Sequence, residues 1–108
     1  MNPAELYEEV ARKFPALWPS MPQWTWVNVH DGEAPKLELL AALLESCIAT
    51  PEVVVVVHAT PGTAVRMSRR GVIDYLAPHV LKHEIQVSDP GFKSFLSVSL
   101  TGTATCDA

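Results

Sequence analysis

The chain has 108 residues, 48% hydrophobic and 19% charged, with a net charge of −4. That length and balance describe one folded domain spanning residues 1–108, with a real core and without disordered composition. Eight scattered Lys and Arg, adjacent only at Arg12-Lys13 and Arg69-Arg70, argue against nucleic acid or a membrane surface as partner. The two cysteines, Cys47 and Cys106, have neither CxxC nor metal-ligand spacing and make no disulfide framework. Reduced thiols in the cytoplasm are the expectation. The acidic start, Met1-Asn2-Pro3-Ala4-Glu5, does not resemble a secretory leader, and no apolar run reaches membrane-spanning length.

The first predicted element is a helix. Asn2 can cap it, Pro3 suits its first position, and Glu5 completes an Asn-x-x-Glu capping box. Leu6, Val10, Phe14 and Leu17 form its apolar stripe, and Glu8–Arg12 and Glu9–Lys13 are favourable four-apart pairs. Pro15 disfavours helix at Phe14, so an end or kink is expected there. A Pro-rich connector follows. Trp24 to His30 then alternates as a strand, with Trp24, Trp26, Asn28 and His30 on one face, and Asp31-Gly32 stops it.

Pro35 opens a second helix and Pro51 closes it. Its apolar residues, Leu37, Leu40, Ala41, Leu43, Leu44, Cys47 and Ile48, cover enough circumference to bury most of it. Five consecutive valines, Val53 to Val57, come next. A run without alternation has no face suited to water, so it reads as an interior strand covered on both sides. A helix on the face opposite the other two would supply the second cover. Thr60-Pro61-Gly62 is a turn, and Thr63 to Ser68 a hairpin partner. Ser68 can cap a third helix with Val72, Ile73, Leu76, Ala77 and Val80 on its stripe, and Pro78 should split it. Glu84–Ser88 and Phe92–Leu100 read as strands joined through the turn Asp89-Pro90-Gly91. The small, polar tail Thr103–Ala108 is expected to fray.

The order αβαββαββ gives an α+β (mixed α/β) fold: a single small domain with about five strands in a mixed sheet and three helices packed on it. The Trp24–His30 strand, the second helix and the valine strand would form a right-handed parallel crossover.

Chemistry is weakly marked. His58 leaves the valine strand before a Pro-Gly loop, where an open parallel sheet would bind a ligand; a histidine closing a buried strand through one hydrogen bond is the simpler account. His30 beside Asp31 would approach His58 only if their strands were parallel neighbours, and as turn chemistry it needs no partner. Arg66, Arg69 and Arg70 could hold a carboxylate or phosphate, or be a solvated corner. His79 and His83 are four apart, yet no Glu follows the first as a zinc-protease motif requires, and a helix C-terminus alone accommodates them. Cys47 sits on the apolar side of its helix as a small core residue. There is no nucleophile elbow and no phosphate loop.

Trp18, Trp24 and Trp26, three indoles in nine residues, are the recognition candidates; roofing the core is the competing account. The sequence therefore reads first as a non-catalytic interaction module of the immunity, inhibitor, adaptor or regulatory kind. It would bind another protein or a second copy of itself through a Trp-rich apolar surface, without cofactor or metal. The alternative is a small-molecule binder or small enzyme using His58, His30 and Arg66.

Overall fold

The structure is a computed structural model describing residues 2–17, 27–28, 30–32, 34–58, 64–99 and 102–107. The Trp18, Trp24 and Trp26 positions and the Thr60-Pro61-Gly62 turn lie outside these, as do the side chains of Lys13, Phe14 and Leu17.

Helix α1 (Pro3–Leu17) starts as its capping box requires: the Glu5 amide donates to Asn2 Oδ1 at 2.9 Å, and the Asn2 amide to Glu5 Oε1 at 3.4 Å. Arg12 pairs with Glu9, not Glu8, its Nη2 lying 2.6 and 2.7 Å from the two carboxylate oxygens. That hydrogen bond raises the guanidinium pKa. The helix does not end at Phe14 but runs on to Leu17. Pro15 stands in its last turn, where the missing N–H removes a single backbone bond.

Strands β1 (Val27–Asn28), β2 (His30–Asp31) and β3 (Ala34–Pro35) follow, then α2 (Leu37–Cys47), β4 (Glu52–Val57), β5 (Val65–Ser68), α3 (Arg69–Leu76), β6 (Ile85–Ser88), β7 (Phe95–Val98) and β8 (Thr103–Asp107). Six strands make one sheet in the order β1-β8-β7-β6-β4-β5, and β2 with β3 makes a separate hairpin. The fold is α+β, as the element order implies. The sheet is antiparallel at every pairing among the described residues, not mixed. The expected parallel crossover fails because β1 pairs with β8, and β8, β7 and β6 separate it from β4.

The valine strand is interior, flanked by β5 and β6. Val53 and Val55 pack with Leu40, Leu44 and Ile48 of the α2 region and with Val72 and Leu76 of α3. Val54 and Val56 pack with Leu6 and Val10 of α1 and with Phe95. All four valines are at most 1% exposed. Two helices thus cover one face and α1 covers the other, which is why no position in the run needs a polar side chain.

Two short devices fix the strand connections. Asp89 organises the β6–β7 loop, its Oδ1 accepting from the amides of Lys93 (2.7 Å) and Ser94 (2.8 Å) and its Oδ2 from that of Gly91 (3.2 Å). This holds Phe92 at a left-handed φ of 57° with its ring against the α1-side cluster. Asp89→Ala should lower stability by about 2 kcal/mol, and Asp89→Asn by less, because the amide oxygen can keep the Oδ1 bonds. Urea denaturation of the pair reads the difference. In the β7–β8 turn, Gly102 takes φ 86° and donates to the Ser99 carbonyl at 3.0 Å, while the Ser99 amide donates to that of Thr103 at 2.7 Å.

The tail does not fray. Residues 103–107 form β8, between β7 and β1, with Ala104 and Thr105 buried. Small side chains fit this position because α2 packs over β7 and β8. Cys47 is buried at 7% exposure, as its place on the helix implies, but it is disulfide-bonded and not a free thiol. The chain has one other cysteine, Cys106 of β8. α3 ends at Leu76, before Pro78, and Ser68 caps it by accepting from the Arg70 amide at 3.3 Å. Among the described residues no helix is long and apolar enough to cross a membrane.

Candidate functional site

The end of the valine strand holds His58, which is exposed. Its amide donates to the Glu84 carbonyl at 2.9 Å, continuing the β4–β6 ladder by one residue. Its ring meets Tyr7 of α1 edge-on, with centroids 6.4 Å apart. The second of the two sequence readings, a strand-end hydrogen bond, therefore describes its backbone.

Arg66 is elsewhere. It sits opposite Val54, and its Nε donates to Glu52 Oε2 at 3.0 Å, at the start of β4. Four residues of extended chain, about 13 Å, separate Val54 from His58. Arg69 is committed as well: its Nη1 donates to the Ile48 carbonyl at 2.7 Å, and its amide to the Pro51 carbonyl at 2.9 Å. It ties the end of α2 to the start of α3. The basic corner thus has structural work at two of its three arginines, and no anion is needed to explain it. His30 lies in β2 opposite Pro35, in the two-stranded hairpin. The strand adjacency that would have brought it beside His58 does not exist.

A polar row crosses the α1 face of the sheet. Register places Val56, Gln86, Ser97 and Thr105 side by side on β4, β6, β7 and β8. Ser97 is 9% exposed and Thr105 1%. Thr105 Oγ1 is buried and makes no hydrogen bond. Period-two alternation reveals Ser97 as opposite Leu96 and Val98, but nothing local reveals that Thr105 joins it. A buried hydroxyl without a partner costs more than the isosteric methyl, so Thr105→Val should raise stability by about 1 kcal/mol, read as a higher thermal midpoint. An unchanged or lower midpoint would show that the hydroxyl is satisfied.

Past α3 the chain makes one further turn, in which the His83 amide donates to the His79 carbonyl at 3.0 Å. Tyr75, His79 and His83 line up there: ring centroids are 5.9 Å apart for the first pair and 5.5 Å for the second. Among the described residues no three or more His, Cys, Asp or Glu side chains converge as metal ligands.

The longer of the two terminal strands of the six-stranded sheet is β5. β5 has β4 as its sheet neighbour and, among the described residues, no second strand paired with it. In an antiparallel pair every second residue turns its N–H and C=O away from the partner strand, so this edge presents unpaired backbone groups. Val65 on β5 and Tyr75 on α3 are the exposed large hydrophobics among the described residues, at 40% and 38%.

No family model matches the chain, and neither a curated protein nor a solved structure shows significant similarity to it.

Proposed function

We propose that this protein is a non-catalytic interaction module that binds an extended segment of another polypeptide, a second copy of the chain included. The observation that supports it is the open β5 edge carrying Val65, with Tyr75 on the helix that follows. An added strand would take main-chain hydrogen bonds from the edge, and apolar side chains would supply specificity. Val65 and Tyr75 provide such contacts.

The Trp18, Trp24 and Trp26 platform remains part of the proposal on its sequence pattern alone. The net charge of −4 favours a protein partner over nucleic acid or an anionic membrane. The strand-end pocket built from His58, His30 and Arg66 has less in its favour, since Glu52 engages Arg66 and the strands of the two histidines are not neighbours. A disulfide at Cys47 favours an oxidising compartment over the cytoplasm.

Val65→Lys tests the edge, because a charge on an edge strand blocks pairing while leaving an exposed position folded. Light scattering reports self-association, and selection from a displayed library of extended peptides reports other partners. Val65→Lys should weaken whatever association is found by about tenfold or more. Trp24→Ala and Trp26→Ala test the platform in the same assays. A protein that stays monomeric and selects no peptide defeats the proposal, as does binding unchanged in all three variants.

A further inference from the structure

We infer that His79 and His83 form a two-imidazole binding site for a borderline divalent transition-metal ion, with copper(II) the tightest. Their ring centroids are 5.5 Å apart with planes inclined by 49°. Two adjacent imidazoles on one ion, with metal–nitrogen bonds of about 2.0–2.1 Å, place their ring centroids about 4.5–5 Å apart, the lower value for the tetragonal geometry of copper(II). The observed 5.5 Å lies about 0.5–1 Å above those values, so the two rings must close slightly to share an ion.

The backbone holds the two rings in place. His79 and Val80 donate to the Leu76 carbonyl at 2.8 and 3.2 Å, and Lys82 and His83 donate to the His79 carbonyl at 3.0 Å each. Val80 between them is buried at 4% exposure, so the turn is anchored in the core while both imidazoles stay half-buried at the surface. Leu81 takes a left-handed φ of 71°, a conformation that non-glycine residues adopt only at an energetic penalty. The chain accepts that strain in the turn that brings His83 back onto His79.

The Tyr75 ring lies beside His79, with centroids 5.9 Å apart. Among the described residues no third His, Cys, Asp or Glu joins the pair, so the remaining coordination positions go to water or to a side chain of a bound partner. Neutral imidazole suits Cu, Ni and Zn, with copper(II) preferred in the general affinity order.

The test is titration of the intact protein with copper(II) in a non-chelating buffer, followed by calorimetry and electron paramagnetic resonance. The expected result is one equivalent bound with a nitrogen-coordinated spectrum and a raised thermal midpoint. His79→Gln and His83→Gln should each weaken that binding about tenfold or more, and the double variant should abolish the thermal shift. His58→Gln should leave affinity unchanged. A wild-type protein that binds copper no more tightly than the double variant overturns the inference. So does a His83→Gln variant with undiminished affinity.

Discussion

Val55→Asp is expected to unfold the protein. Val55 is 1% exposed, pairs with Val65 on β5 and Val87 on β6, and packs against the α2 and α3 side of the core. No cation stands across either strand to meet a carboxylate. Removing an uncompensated charge from water at such a site costs more than about 4 kcal/mol, a large share of the roughly 5–15 kcal/mol that holds a domain together. The variant should lose its near-ultraviolet circular dichroism and its cooperative denaturant transition. Val54→Asp makes the comparison informative. Arg66 lies directly opposite Val54, and its guanidinium is already bound to the neighbouring Glu52, so it can turn to the new carboxylate. The Val54 variant should therefore be the less damaged of the two, although both valines are equally buried.

Breaking the disulfide at Cys47 should lower stability by about 2–5 kcal/mol. A cross-link restricts the unfolded chain more than the folded one, and Cys47 sits at the end of α2, inside the larger core cluster. Urea denaturation with and without reductant should show a lower midpoint for the reduced protein. Cys47→Ser should fall at least as far, because it also places a hydroxyl among Leu44, Ile48 and Val53. Identical midpoints in both conditions, with thiols that titrate freely in the folded protein, would mean that the cysteines are reduced in the native state.

What could be read from sequence was what local chemistry dictates. Asn2 and Glu5 determine how α1 begins, Ser68 caps α3, and Pro78 ends its regular part. The five valines announced a strand covered on both faces, and α1 is the second cover. Pairing partners were not legible, because nothing in Val27–Asn28 distinguishes β8 from β4 as its neighbour. β8 itself was hidden: Thr-Ala-Thr-Cys-Asp lacks the bulk that marks a strand, and its burial is imposed by α2 and β7. The cysteine pattern misled for a related reason. Spacing along the chain says little when helix and sheet bring distant residues together. Of the candidate sites, Arg66 and Arg69 proved to be engaged by Glu52 and the Ile48 carbonyl, contacts that depend on register. The β5 edge likewise became visible only once the sheet order was known, whereas the four-residue spacing of His79 and His83 was legible in the sequence.

The two-sided sealing of β4 underlies every placement above, and a Val→Thr series at positions 53, 54, 55 and 56 measures it most directly. Threonine nearly keeps the shape and the strand preference of valine and replaces one methyl by a hydroxyl, so the loss of stability reports how dry that position is. Urea denaturation should show all four variants weakened by a comparable amount, about 1–3 kcal/mol each. Losses at 53 and 55 with none at 54 and 56, or the reverse, would mean that one face of the strand is wet and that this packing of α1 or of α2 and α3 is wrong.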